Sequence, residues 1–304
     1  MAADPPPCCQ PRRRALLLVN EHSRSGRECL GPVTDALQAV GIEVVHRTGK
    51  SREDIARLIR AARADVDRVV IGGGDGTLNA AAPALIETGL PLGILPLGTA
   101  NDLARTLGLP LGLDAAVGVI AAGRARQIDL GEVNGIPYFN VASLGLGVDL
   151  TRALTRDAKR RWGPLGYAIA GLRVLNRLRT FHVLIDIEGR VTESRTVHLA
   201  VGNGRHYGGG MVVSEQASID DGHLDIYSLE VENVWRLLRL LPALRSGRTR
   251  DWTEIRTLES QEIRVTTRRA RSVNADGEIV TKTPARFRLL HGVVTVYVPF
   301  EDQE

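Results

Sequence analysis

Short apolar runs and helical apolar spacings alternate over the first part of the chain. Ala15–Asn20, Ile42–Arg47, Asp67–Ile71 and Pro91–Leu95 read as strands. Pro32–Val40, Glu53–Ala64 and Leu78–Thr88 carry apolar residues at helical spacing. The resulting β-α-β-α-β-α-β order predicts an open, mostly parallel sheet with helices on both faces. Near Ile128 the pattern changes to short β-rich runs: Tyr138–Ala142, His182–Ile187, Thr196–Gly202, Leu224–Leu229, Glu262–Thr267, Arg286–Leu290 and Val293–Val298. These predict antiparallel layers, interrupted by helical stretches at Leu150–Arg179 and Val234–Arg245. The expected fold class is α/β plus β: a three-layer α/β domain, then a β-rich sandwich. The expected division is a disordered tail over residues 1–12, a nucleotide-binding domain over 13–128 and a substrate domain over 129–304. The last residues are expected to pack back on the first domain.

Composition narrows the class. The chain has 304 residues, 43% hydrophobic and 24% charged, enough to bury a core. The longest apolar stretches, such as Ala115–Gly123, fall far short of the roughly 20 residues of a membrane-spanning helix. The N-terminus lacks the apolar core of a secretory signal. Three scattered cysteines make no disulfide framework, so a reducing cytoplasm is expected. Net charge is only +4, with three lysines among 39 basic residues. Arg268, Arg269 and Arg271 have no aromatic platform beside them, and no nucleic-acid partner is expected.

The most informative segment is Gly72-Gly73-Gly74-Asp75-Gly76-Thr77-Leu78-Asn79, which follows a strand and opens a helix. Glycines let backbone N–H groups approach a phosphate, and the helix presents its positive end to the same anion. Asp75 suits Mg²⁺ on a nucleotide, and Thr77 and Asn79 suit hydrogen bonding. A second polar helix start, Pro96-Leu97-Gly98-Thr99-Ala100-Asn101-Asp102, falls at the same sheet edge. Ligands bind at that edge in such sheets. Neither G-x-x-x-x-G-K-[ST] nor G-x-G-x-x-G is present, and the protein-kinase motif set is absent.

Together these segments closely resemble the diacylglycerol kinase catalytic domain family, which includes sphingosine and ceramide kinases and the bacterial lipid kinases. Its Gly-Gly-Asp-Gly-Thr signature matches Gly73–Thr77, and its Pro-x-Gly-Thr-x-Asn-Asp signature matches Pro96–Asp102. Asn20–Gly26 resembles the first strand-turn motif, with Glu21 where the family usually has proline. Asn203-Gly204 and Gly208–Gly210 match a glycine turn, and Asn274–Glu278 matches the Asp-Gly-Glu motif. Read without the family, Asp276-Gly277 signals a hairpin turn.

The resemblance implies a kinase that uses ATP and Mg²⁺ on a lipid hydroxyl, with diacylglycerol the leading acceptor. The implied nucleotide contacts are Thr48, Gly73, Gly74, Asp75, Gly76, Thr77, Leu78, Asn79, Thr99, Asn101 and Asp102. Glu278 takes the place of the general base of bacterial members. Asp75 is the rival, as in some eukaryotic relatives. The loop Ala217–Asp225 resembles one that holds a structural Mg²⁺, which implies ligation by the Asp221 carboxylate and the Ser218 and His223 carbonyls. The family usually has leucine at position 223.

A lipid acceptor implies action at a membrane surface. Residues 151–180 carry eight basic residues against one acid, and Trp235–Leu241 is also basic and amphipathic. Each fits a helix lying on an anionic bilayer, or one packed on the β domain with its arginines in water. The alternatives are a kinase of a sphingoid base or ceramide, an NAD kinase-like enzyme, and a nucleotide- or lipid-binding regulator without catalysis.

Overall fold

In the computed structural model the described residues are 13–19, 24–49, 51–146, 148, 179–204, 206–207, 211–212, 218–231, 252 and 255–300. The tail, Asn20–Ser23, Gly208–Gly210, Ala217 and nearly all of both basic stretches lie outside them. The elements in order are β1 (Arg14–Val19), α1 (Arg24–Ala39), β2 (Glu43–Arg47), α2 (Arg52–Ala62), β3 (Arg68–Gly73), α3 (Asp75–Thr88), β4 (Leu92–Pro96), α4 (Asp102–Thr106) and α5 (Leu113–Ala122). There follow β5 (Ala125–Val133), β6 (Ile136–Tyr138), β7 (Val141–Gly145), β8 (Phe181–Ile187), β9 (Arg190–Thr196), β10 (His198–Gly202), β11 (His206–Tyr207), β12 (Met211–Val212) and β13 (Leu224–Leu229). The chain closes with β14 (Ile255–Ser260), β15 (Glu262–Thr267), β16 (Ser272–Ala275), β17 (Glu278–Lys282) and β18 (Ala285–Tyr297).

β2, β1, β3 and β4 lie side by side in that order and are parallel. β3 is buried along its whole length, as the near-continuous apolar run of a two-sided parallel strand requires. Ile59, Leu78, Ala81 and Leu85 from α2 and α3 cover one face. Val33, Leu37, Val117 and Ile120 from α1 and α5 cover the other. The sheet then continues through β18, β15, β8 and β9. A second, six-stranded sheet runs β14-β13-β10-β7-β16-β17. Val183, Ile263, Val265 and Phe287 of the first sheet meet Leu144, Leu199, Val201 and Ile226 of the second, forming a dry sandwich core. The fold class is therefore α/β plus an antiparallel β sandwich, as the pattern predicts.

Several elements differ from the sequence expectation. Tyr138–Ala142 and Thr196–Gly202 each span the break between two strands, β6 and β7 in one case and β9 and β10 in the other. Three more differ in their bounds. α1 starts at Arg24, before Pro32, because partly buried Cys29 and Leu30 pack on the core and carry the helix back beyond the proline. α3 starts at Asp75 rather than Leu78, so Gly76 and Thr77 form its first turn. The two final strands are one, β18, kinked by a register shift between Leu290 and Val294. Its first half pairs β15, its length pairs β5, and Val296 pairs Leu92 of β4 in parallel.

Candidate active site

The parallel strands end at one edge, and the glycine run is built there. Gly73 ends β3 and Gly74 caps α3; Thr77 N and Leu78 N donate to the Gly74 carbonyl at 2.9 and 3.2 Å, so it is the Asp75 and Gly76 N–H groups at the start of α3 that can face a ligand. A Cβ on Gly73 would stand 2.8 Å from Thr77 Oγ1, and one on Gly74 would stand 3.1 Å from the Gly98 Cα. A Cβ on Gly98 would collide with the Gly74 backbone. The two glycine-bearing segments therefore touch backbone to backbone, which only glycine allows.

Asn101 holds the second segment closed. Its backbone is left-handed, φ 52°. Its Oδ1 accepts from Gly98 N at 2.9 Å, and its Nδ2 donates to the Gly98 and Pro96 carbonyls at 3.0 and 3.3 Å. Its polar side chain thus serves the loop itself. Asp75 Oδ1 accepts from Leu103 N at 3.1 Å, which satisfies a first-turn donor of α4 from another helix. Asp102 is buried at the start of α4, and Thr99 is exposed. Leu78 packs in the core. The Asn79 amide is 1% exposed with both polar atoms unpartnered, which marks a place where a bound group or water completes the set. Thr48, half-buried, follows β2.

Glu278 reaches this edge from the far end of the chain. Asp276 and Gly277, both at positive φ, turn the β16–β17 hairpin. The Asp276 carboxylate accepts from Phe139 N at 2.7 Å and from Asn140 N and Val141 N at 3.0 Å each. That ties the turn to the β6–β7 connection. Burial raises the Asp276 carboxyl to about 6; the backbone donors oppose the shift, and the nearby charge of Asp75 adds to it. Two residues on, the Glu278 Oε1 lies 3.7 Å from where a Cβ on Gly76 would stand. Its Oε2 is ion-paired with Arg52, the first residue of α2. The sequence reading gives neither Arg52 nor Asp276 a role at the site: Arg52 matches no motif, and Asp276 enters only as the first residue of the matched Asp-Gly-Glu motif and as a turn residue.

Ser218, Asp221 and His223 share one loop. Asp221 accepts from Ser218 N at 2.9 Å and His223 N at 3.0 Å, while Asp221 N donates to the Ser218 carbonyl at 3.4 Å. Asp129, 1% exposed, anchors this loop to the β18 kink by accepting from Gly222 N and Gly292 N. Among the described residues no three acidic, His or Cys side chains cluster as a metal site. A cation here would rest on one carboxylate and two carbonyls, a hard oxygen set that suits Mg²⁺. An open hollow of about 750 Å³ nearby is lined by Asp186, Glu188, Glu259, Glu262 and Arg264. Its charged lining does not suit an acyl chain, and none of the cradle residues line it.

Residues 14–133 match the family model of the diacylglycerol kinase catalytic domain. Residues 141–298 match the YegS C-terminal NAD kinase beta sandwich-like domain. The chain belongs to the family of YegS-like and diacylglycerol kinases. A Pseudomonas aeruginosa protein named "Probable lipid kinase YegS-like" is 33% identical to this lipid kinase over 297 residues, covering 93% of this chain and 94% of the relative. A Mycobacterium tuberculosis protein named diacylglycerol kinase is 34% identical over 269 residues, covering 85% of this chain and 86% of the relative. A crystal structure described as "a putative diacylglycerol kinase from Bacillus anthracis str. Sterne" superposes with a TM-score of 0.80 at 26% identity, covering 97% of this lipid kinase and 98% of that chain. Membership of a kinase family implies ATP as phosphoryl donor. Among the described residues no helix is long and apolar enough to cross a membrane.

Proposed function

We propose that this lipid kinase transfers the terminal phosphoryl group of ATP to the free hydroxyl of diacylglycerol, giving phosphatidic acid. Residues 13–128 bind the nucleotide and residues 129–304 the lipid. The observation that carries the reading is the meeting of Glu278 with Gly76. It places a carboxylate from the second sheet against the phosphate-facing start of α3. Phosphoryl transfer needs such positioning, with charge neutralisation and a proton acceptor beside the attacking hydroxyl.

The roles follow from placement. The segment Gly73–Asn79 cradles the phosphates, with Thr48 and Thr99 at the rim and Asn101 and Asp102 holding the second wall. Asp75 would orient Mg²⁺ on the nucleotide, where the cation would supply charge neutralisation of the phosphates. Ser218, Asp221 and His223 would hold a separate, structural Mg²⁺. Glu278 accepts the hydroxyl proton. The Asp75 carboxylate supports the first turn of α4 through Leu103 N, which favours Glu278 over Asp75 as base. The acceptor sits in a bilayer, so the chain works at a membrane surface, with the basic stretches around residues 152–179 and 236–250 as the docking face.

The test is labelled ATP and Mg²⁺ with a panel of diacylglycerol, ceramide, sphingosine and NAD, the products being separated chromatographically. Labelled phosphatidic acid is expected, and Glu278→Gln is expected to abolish it with the fold intact. Phosphorylation of NAD and of no lipid overturns the reading. A Glu278→Gln variant of near-wild-type turnover overturns the base assignment.

A further inference from the structure

Arg52 stands where electrostatics alone would not put it. It is the first residue of α2, at the positive end of the helix dipole, where a cation is disfavoured and where Glu53 and Asp54 follow in the usual sense. Ser51 already caps that end by accepting from Asp54 N at 3.2 Å. Arg52 is therefore not needed to start the helix. Its guanidinium instead reaches the Glu278 carboxylate across 226 positions of sequence.

The pairing divides the carboxylate. Arg52 takes Oε2, and Oε1 is the oxygen beside Gly76 at the mouth of the cradle. Glu278 opens an edge strand of the six-stranded sheet, since β17 pairs only β16 in that sheet's order. Its side chain is 43% exposed. A long carboxylate in that position has free rotamers that point to water, and an exposed ion pair adds little stability. What the guanidinium does contribute is direction: its Nη1 meets Oε2, which leaves Oε1 on the side of Gly76.

We propose that Arg52 is a positioning residue for phosphoryl transfer: it holds Glu278 by one oxygen so that the other faces the acceptor hydroxyl. The inference rests on Glu278 being the base and deepens that reading. Misplacing a reacting group by about 1 Å costs on the order of 100-fold in rate, so loss of Arg52 belongs in kcat and not in nucleotide binding.

The experiment uses the full chain with Mg·ATP and diacylglycerol in mixed micelles, and compares Arg52→Gln, Arg52→Lys, Glu278→Gln and the double variant. Arg52→Gln is expected to lower kcat about 10- to 100-fold and to leave the KM for ATP close to that of the unaltered chain. Arg52→Lys, which keeps the charge and loses the fork, is expected to recover part of the loss. Arg52→Gln added to Glu278→Gln is expected to cost nothing more, because the two act as one unit. Thermal melting of each variant checks that it is folded. An inactive Glu278→Gln beside an unimpaired or faster Arg52→Gln overturns the inference and leaves the base assignment standing. An effect of Arg52→Gln confined to the KM for ATP also overturns it, since Arg52 would then serve the nucleotide. An active Glu278→Gln overturns both.

Discussion

The Asp75 carboxylate accepts the backbone N–H of Leu103 at 3.1 Å, so the first turn of one helix closes the first turn of another. The two glycine-bearing segments are thereby held at fixed spacing. Asp75→Asn keeps an acceptor and loses the charge, whereas Asp75→Ala loses both. Removing a cap of this kind costs about 1 kcal/mol, so calorimetry should find Asp75→Ala less stable than Asp75→Asn. Turnover should fail in both. An alanine variant as stable as the unaltered chain would show that the contact to Leu103 contributes nothing.

The contact between Gly74 and Gly98 sets a stricter limit. A methyl group on Gly98 has no free space, because the obstacle is Gly74 backbone and the Asn101 amide rather than a flexible side-chain tip. Gly98→Ala is expected to force the walls apart at a cost of about 1–3 kcal/mol, and ATP affinity measured by titration calorimetry should fall with it. Gly112→Ala is the control, since nothing lies within 4 Å of its added Cβ. Equal behaviour of the two variants would count against the close approach.

Asp276 gives the fold a pH dependence of known sign. Burial raises its carboxyl from 3.8 to about 6, against the pull of the backbone donors at Val141, Phe139 and Asn140. The folded chain therefore holds this proton more tightly than the unfolded chain. Unfolding releases it between about pH 4 and 6, and the contribution of this group to stability falls as pH rises through that range. Denaturant melts of Asp276→Asn over this range should lack that limb. An unchanged pH profile in the variant would remove Asp276 as its source.

His198 acts in the opposite direction. It is buried against Tyr227, ring centroids 5.8 Å apart, and burial lowers its pKa from 6.5 to about 4, opposed by a backbone hydrogen bond at Leu144. The unfolded chain takes up a proton here before the folded chain does. Stability from this residue is complete above about pH 6.5 and is lost as pH falls toward 4. His198→Phe should flatten the acid side of the melting profile and leave Asp276's limb in place.

Much of this was legible from local pattern. The α/β class is legible because its first four strands and the helices between them declare themselves within about ten residues by their apolar period, although the starts of α1 and α3 do not. The close approach of Gly74 and Gly98 falls on two segments the sequence marks out, because such an approach requires glycine at fixed offsets. β18 reads as two strands from sequence because His291 and Gly292, at the kink, break the alternation that marks a continuous strand. β9, β16 and β17 carry too few apolar residues to show a period at all; strand pairing, not patterning, makes them.

The sequence by itself determined which residues could cradle a phosphate and which order of elements would carry them to one sheet edge. Only the tertiary structure decided that Glu278 stands over Gly76, that Arg52 holds it there, and that Asp276 ties its hairpin to Phe139, Asn140 and Val141. Those contacts join segments more than a hundred residues apart. No local period records such a distance. It is set by the packing of one sheet on another and by where an edge hairpin comes to rest.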